Sequence, residues 1–254
     1  GLAEMIEALV AALPAMGVEL RLGAEVKQIE AAPAGYRGEI ASGEGFTVEA
    51  MIVAVPAYTA AKLLEGLDAT LCGPLSEIPY VSTATISLAY RLSDLPRPLD
   101  GYGYVIPRRE RRQALACTWT STKFPHRAPQ GFALLRVFAG RAGQKASLPE
   151  DQEGLLALAK SELRQTLGIT AEPVVSRCFF WPQAMPQYNL GHPERLERIQ
   201  ARVEKLPGLS LAGNGYQGIG IPDCIHSGEE AAGRTLTYLL RQRSEQPDEH
   251  RKIH

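Results

Sequence analysis

The chain has 254 residues, 45% of them hydrophobic, and a formal net charge of −1. That length and apolar share can bury a core in one or two domains, and the near-neutral balance without a long like-charge block excludes a general nucleic-acid binder. No run approaches the roughly 20 apolar residues of a membrane span, no signal peptide is visible, and Cys72, Cys117, Cys178 and Cys224 are spaced like reduced core thiols rather than metal ligands.

Residues 2–13 carry Leu2, Ile6, Leu9 and Leu13 at helical spacing and stop at Pro14 and Gly17. VELRL (18–22) and AEVKQIE (24–30) alternate as strands do, and after a glycine-rich turn FTVEAMIVAVP (46–56) reads as one buried strand. A helix over YTAAKLLEGL (58–67) follows, with Pro74 and Pro79 marking the next boundary. From about 79 to 184 the pattern changes to strands with Gly/Pro turns: VSTATISLAY, GYGYVIP, ALACTWTST and FALLRVFAG. One helix comes next, with Ser147 and Glu150 at capping-box spacing, Pro149 at its start and Gly168 at its end. PVVSRCFFW (173–181) is the last strand of this region, and Leu196, Ile199, Val203 and Leu206 form one stripe of a helix over 191–208. Several strands and one helix predict an antiparallel or mixed sheet covered on one face. The expected class is α/β in a mixed α+β form. Segments 1–70 and 191–240 would complete one domain around a sheet domain over 71–190, and 241–254 is a polar tail.

The most informative stretch is LSLAGNGYQGIGIPDCIHSGEEAAGRTLTYLL, residues 209–240. It reads as a short buried strand (Leu209–Ala212), a loop with glycines at 213, 215, 218 and 220, and a helix opened by Pro222. Glycines there let backbone approach a flat or anionic ligand, and the helix start presents unpaired N–H groups and a positive dipole end. Gly213, Gly215 and Gly218 make a literal G-x-G-x-x-G, but a dinucleotide site also needs a following parallel strand with an acidic residue about 20 positions on. Here the helix is the last expected element, so the stretch closes a ligand site from its C-terminal end.

LAGNGYQGIGIPDCIHSGEEAA, FFWPQAMPQYNLGH (179–192), KFPHRAP (123–129) and GLAEMIEAL (1–9) together resemble, in the right order, the FAD-dependent protoporphyrinogen and coproporphyrinogen oxidases. These belong to the wider amine oxidase and phytoene desaturase superfamily, and the likeness runs from Gly1 to about Leu240. That family begins with a strand, a G-x-G-x-x-G loop and a helix that hold the FAD pyrophosphate. No such unit precedes Gly1 here, and the first segment looks like the family's mid-protein Gly-Gly-Leu motif with one glycine cut away. The resemblance therefore implies the C-terminal half of a longer flavoenzyme: a partial FAD/NAD(P)-binding flavoprotein domain with an inserted mixed-sheet substrate domain.

By motif, the resemblance carries FAD contacts to Val26, Trp181, Ile219, Gly220 and Ile221, and a porphyrinogen pocket to Val105, Thr118 and Phe138. Strand alternation adds Arg136, which shares a face with Phe138 and could pair with a propionate; a cross-strand ion pair is the other reading of Arg136. A hydride-accepting flavin needs no protein nucleophile, so no catalytic residue and no metal ligand is expected. Cys224 and His226, two apart on a helix, do not share a face. The implied reaction is oxidation of coproporphyrinogen III or protoporphyrinogen IX to the porphyrin in haem biosynthesis, with dioxygen as the partner substrate and hydrogen peroxide released. An amine oxidase is the nearest rival, but the position where those enzymes place a cage aromatic is Ile221. A carotenoid desaturase, a porphyrin-binding protein and a non-catalytic truncated piece remain as alternatives; by itself the piece is expected to be colourless and poorly soluble. The expected location is the cytoplasm, with membrane association, peripheral membrane contact and a homodimer left open.

Overall fold

Leu2, Ile6 and Leu9 do lie on a helix: α1 (Leu2–Ala12) forms there in the computed structural model, which describes residues 2–143 and 148–245. A 3-10 turn over Leu13–Met16 begins with Pro14 near its start and ends at Gly17, whose φ of 81° is open to glycine without strain. No residue of α1 is buried, so Leu2, Ile6 and Leu9 are all more than half exposed. VELRL forms no strand. Arg21 instead pairs with Glu19 at 2.7 Å and Glu44 at 2.8 Å, and Leu22 stands 91% exposed. Alternation makes a strand only where a neighbouring strand completes the ladder.

The AEVKQIE run becomes β1 (Val26–Ala32), which pairs antiparallel with β2 (Gly35–Ile40), and β2 pairs antiparallel with β3 (Gly45–Val48). The sequence pattern gave no sign of β2. A Cβ on its Gly38 would sit 2.3 Å from the Phe46 ring, which would have to shift to admit it. The expected single strand over 46–56 divides at a bend into β3 and β4 (Met51–Val53), which belong to different sheets. β4 pairs in parallel with β10 (Leu209–Leu211), far along the chain. Tyr36 fastens the meander to the turn before β10, its hydroxyl donating to the Pro207 carbonyl at 2.7 Å.

α2 (Ala57–Leu63) and α3 (Ala69–Ser76) follow, and Pro74 lies inside α3 rather than at a boundary. Asp68 caps α3 by accepting from the Thr70 amide at 2.9 Å, and its other oxygen takes the Arg202 guanidinium at 2.7 Å. The chain divides into two compact units, one running to Glu77 and resuming at Pro193, the other spanning Ile78–His192.

The second unit is a five-stranded sheet in the order β6-β7-β8-β5-β9, built from β5 (Tyr80–Arg91), β6 (Gly103–Val105), β7 (Ala114–Trp119), β8 (Phe132–Ala139) and β9 (Val175–Pro186). Every pairing is antiparallel. A single turn, α4 (Thr120–Lys123), joins β7 to the β8 approach. β9 accommodates Pro182 and Pro186 because it is an edge strand, where a missing N–H costs no inner ladder bond.

α5 (Gln152–Leu167) covers one face of this sheet with Leu155, Ala159, Leu163 and Leu167 in an i, i+4 row. Opposite them lie Ala84, Ile86, Leu88 and Tyr90 of β5 with Leu135 and Val137 of β8. Fully burying each leucine, isoleucine or valine of this layer contributes roughly 1.5–3 kcal/mol. The cap of α5 is Asp151, which accepts from the Gly154 amide at 2.7 Å, not the expected Ser147, which lies outside the described residues; Gly168 ends the helix as expected, at φ 73°. One charged pair enters this layer. Glu162, 5% exposed, accepts from Arg112 Nε at 3.0 Å, and burial pushes its carboxyl above the ordinary value despite the arginine.

α6 (His192–Val203), which lies in the first unit from Pro193 on, ends before Leu206, and α7 (Ile221–Glu245) runs five residues into the stretch expected as tail.

Candidate functional site

Alternation along the second unit's strands sends every other side chain away from α5, and the strand register lines these side chains up in rows. One row reads Val105, Ala116, Phe138, Thr85 and Phe179 across β6, β7, β8, β5 and β9. The adjacent row reads Gly103, Thr118, Arg136, Ser87 and Arg177. Trp181 stands opposite Thr83 in the next row, donates from Nε1 to Thr85 Oγ1 at 3.4 Å, and stacks on Phe179 with centroids 6.0 Å apart. Val105 is 79% exposed, Phe179 53% and Trp181 49%, so the face is an open apolar patch of the kind that marks an interaction surface. The end of the patch is shaped by a bulge between Val81 and Thr83. There Gln183 takes a φ of 43° and its amide donates to Ser82 Oγ at 3.1 Å.

The structure thus brings Val105, Thr118, Arg136, Phe138 and Trp181 onto one face of one sheet. Arg136 makes no ion pair among the described residues; its Nε donates to Ser87 Oγ at 3.2 Å. That removes the cross-strand ion pair as the reason for its presence. Phe179 and Arg177 belong to the same face and were not singled out from the sequence. The signal was there, since Arg177, Phe179 and Trp181 are two apart, but it sits inside the run FFW, where every residue is aromatic.

Val26, Ile219, Gly220 and Ile221 lie in the first unit. β10 leads to Ala212, whose amide donates to the Val53 carbonyl at 3.1 Å, and the next amide, Gly213, is held by Ser227 Oγ of α7 at 3.1 Å. Gly213 has φ 122° with nothing within 4 Å of a Cβ position, so backbone there is both glycine-specific and approachable. Gly218 and Gly220 have a different cause. Asp223 reaches back to accept from the Gly220 amide at 3.0 Å, and a Cβ on Gly218 or Gly220 would lie 2.5 Å or 2.8 Å from its side chain. These two glycines therefore make room for the cap that starts α7, a reversed half of a capping box.

On either side of Gly220, Ile219 is 51% and Ile221 45% exposed, apolar surfaces at the positive end of a 25-residue helix. Open backbone at Gly213, two exposed isoleucines and a helix N-terminus fit a flat, apolar ring system that gains negative charge. Val26 is half-buried at the start of β1, opposite Ile40 and next to a bulge.

A cleft of about 660 Å³ elsewhere in the first unit is lined by Leu196, Ile199 and Val203 of α6, by Leu211, and by Ser227 and Arg234 of α7. None of the site residues expected from the sequence lines it. No group of three or more His, Cys, Asp or Glu among the described residues could hold a metal ion. The Cys117 thiol is pushed up to about 12 by burial under α5, too high to act as a thiolate nucleophile. No helix of the described residues is long and apolar enough to cross a membrane.

Residues 1–236 match the family model of flavin containing amine oxidoreductases. The chain is 31% identical over 219 residues to the coproporphyrinogen III oxidase of Bacillus subtilis, covering 86% of this chain and 46% of that protein. It is 30% identical over 243 residues to the protoporphyrinogen oxidase of Bos taurus, covering 93% and 50%. Among solved structures, a protein assigned to protoporphyrinogen oxidase from Exiguobacterium sp. 255-15 superimposes with a TM-score of 0.76 at 26% identity, over 94% of this chain and 51% of that one. Reduced UDP-galactopyranose mutase, at 16% identity and a TM-score of 0.67, shares the fold over 82% of this chain and 45% of its own. The chain spans about half the length of the relatives it matches.

Proposed function

The chain belongs to the flavin containing amine oxidoreductase family, whose porphyrinogen oxidase members are FAD enzymes, and we propose that it is part of an enzyme oxidising a porphyrinogen to the porphyrin. The observation that carries this reading is the open sheet face of the second unit, where Val105, Phe138 and Phe179 share one row across the strands. A tetrapyrrole is wide and mostly apolar, and a broad row of aliphatic and aromatic side chains with a bordering cation matches it. Relatives named for coproporphyrinogen III and for protoporphyrinogen support the substrate class and leave both as substrates.

In this reading Val26, Ile219, Gly220 and Ile221 hold FAD, and the N-terminus of α7 favours the negative charge of its reduced form. When bound, FAD would supply the hydride acceptor, with dioxygen as the terminal oxidant and hydrogen peroxide as its product. The chain's own residues need supply no acid or nucleophile. They set the orientation of the macrocycle and keep one face of it dry: Phe138 and Val105 through apolar contact, Thr118 through its hydroxyl and Arg136 through a propionate, while Trp181, whose expected role is an FAD contact, stands at the far border of the apolar row. An amine oxidase reading is disfavoured by Ile221, an aliphatic side chain where an amine would need an aromatic cage.

The test uses the protein made from its full natural gene and purified with its flavin. Coproporphyrinogen III and protoporphyrinogen IX are supplied separately in air, and porphyrin fluorescence and peroxide are followed together. Growth of both signals well above autoxidation with either substrate supports the reading, and the faster substrate identifies the pathway branch. A yellow protein that oxidises neither would reject it and redirect attention to amines or carotenoid precursors.

A further inference from the structure

We infer that Arg136 and Arg177 act as a pair that anchors two carboxylates on one edge of the substrate, so that Arg177 is an orienting residue of the same site; this rests on the porphyrinogen reading above. The two arginines stand opposite the same residue, Ser87 of β5, one on each side of it. Strand spacing places their backbones roughly 10 Å apart, two ladder steps across the sheet. Both are exposed, and among the described residues neither has a carboxylate within ion-pair distance. Arg136 is steadied through Nε on Ser87, and Arg177 through Nη1 on the Ser176 carbonyl at 2.9 Å, which leaves terminal guanidinium N–H groups of each for an incoming anion.

The chemistry of the two rows defines the occupant. Next to the arginine row runs the row of Val105, Phe138 and Phe179, and Trp181 lies beyond it. A ligand matching both rows is broad and apolar, with two anionic groups along one edge separated by about the width of two strand spacings. Guanidinium groups recognise carboxylates in a planar, bidentate manner that a lysine would not reproduce. A macrocycle carrying neighbouring propionates presents that pattern, with its propionate edge on the arginines and its opposite edge towards Trp181. Because both porphyrinogens carry such an edge, the pair fixes orientation rather than choosing between them.

The experiment measures binding of coproporphyrin, the stable oxidised form, by fluorescence titration of the flavin-loaded protein from the full natural gene. It compares the parent with Arg136→Gln, Arg177→Gln, Arg177→Lys and a control on the covered side of the unit, Lys160→Gln. Each glutamine variant is expected to weaken binding by roughly tenfold or more, the strength of a charge-assisted contact. Both should raise KM for either porphyrinogen while leaving kcat close to the parent's. Arg177→Lys should recover only part of the loss, and Lys160→Gln should change nothing. The fully esterified porphyrin should bind parent and Arg177→Gln alike. If the parent oxidises a porphyrinogen but Arg177→Gln binds coproporphyrin as the parent does, the pairing is wrong while the functional reading stands. If the flavin-loaded parent neither binds coproporphyrin nor oxidises either porphyrinogen, the functional reading fails and the pairing with it.

Discussion

The loop before α7 contains two glycines that look alike in sequence and should behave differently on substitution. Gly218 sits at φ 90°, and a Cβ there would lie 2.5 Å from Asp223 Cβ. Gly218→Ala therefore meets left-handed strain of about 1–2 kcal/mol and expels the Asp223 cap, worth about 1 kcal/mol, for a loss of about 2–3 kcal/mol. Gly220 has no positive φ, and its Cβ would meet only the far end of the Asp223 side chain, at 2.8 Å. Gly220→Ala loses the cap but gains about 0.4–1 kcal/mol from a less flexible unfolded chain, so its net cost stays below about 1 kcal/mol. Removing the cap first should separate the two causes. In an Asp223→Ala background, Gly220→Ala becomes neutral or mildly stabilising, whereas Gly218→Ala still meets both its strain of about 1–2 kcal/mol and the Cβ retained at position 223. Hydrogen exchange at the amides of Cys224, Ile225 and His226, beginning with the Cys224 amide that donates to the Gly220 carbonyl at 2.9 Å, reads the local opening free energy of this helix start. Equal damage from both alanines in both backgrounds would refute the cap argument, and would mean that something outside the loop presses on Gly220.

The buried pair of the second unit predicts a large effect from a single change: Arg112→Met leaves Glu162 without its cation and should cost roughly 3–5 kcal/mol near neutral pH in a urea titration, while Arg112→Met/Glu162→Leu should recover most of it. The sign with pH follows from the raised carboxyl. A folded pKa above the ordinary 4.5 means stability is full below that value and declines as pH rises through the folded one, so the Arg112→Met deficit should shrink on acidification; a deficit independent of pH would contradict this. Asp68 behaves oppositely, because burial raises its carboxyl but the bonds from Thr70 and Arg202 outweigh burial and hold it below the ordinary 3.8. Its contribution is present above that value and lost as pH falls through the folded pKa, so the stability gap between parent and Asp68→Asn should close in acid, and a gap that widens there would be inconsistent with the cap. Expressed by itself, the 254-residue chain should be colourless and aggregate on gel filtration, since α1 exposes Leu2, Ile6 and Leu9 and β4 with β10 makes a sheet of only two strands. A yellow monomer with stoichiometric flavin would show that these surfaces need no cover.

What could be read from the sequence was set by how local its cause is. The end of α5 at Gly168 and the shared face of Arg136 and Phe138 follow from one residue's backbone freedom and from strand parity, and both are seen. The parallel pairing of Met51 with Leu209 joins residues far apart in the chain, and no local pattern announces it. VELRL has the alternation of a strand but no neighbour to pair with, and β2 has a neighbour on each side but little apolar alternation of its own. At the site, motif resemblance singled out Trp181 but not Phe179 or Arg177, which the same parity rule places beside it. The glycines at 218 and 220 read from sequence as room for a ligand. Asp223 shows that part of their requirement is internal, whereas Gly213 is open on its Cβ side.

The central claim is that the uncovered face of the second unit's sheet is where the porphyrinogen lies. Hydroxyl-radical footprinting of the flavin-loaded protein, with and without coproporphyrin, tests it most directly. Phe138, Phe179 and Trp181 on that face should lose reactivity when the ligand is added, while Trp119, buried on the α5 side, stays unchanged. Protection confined to other parts of the chain, with Phe179 and Trp181 as reactive as before, would contradict the account.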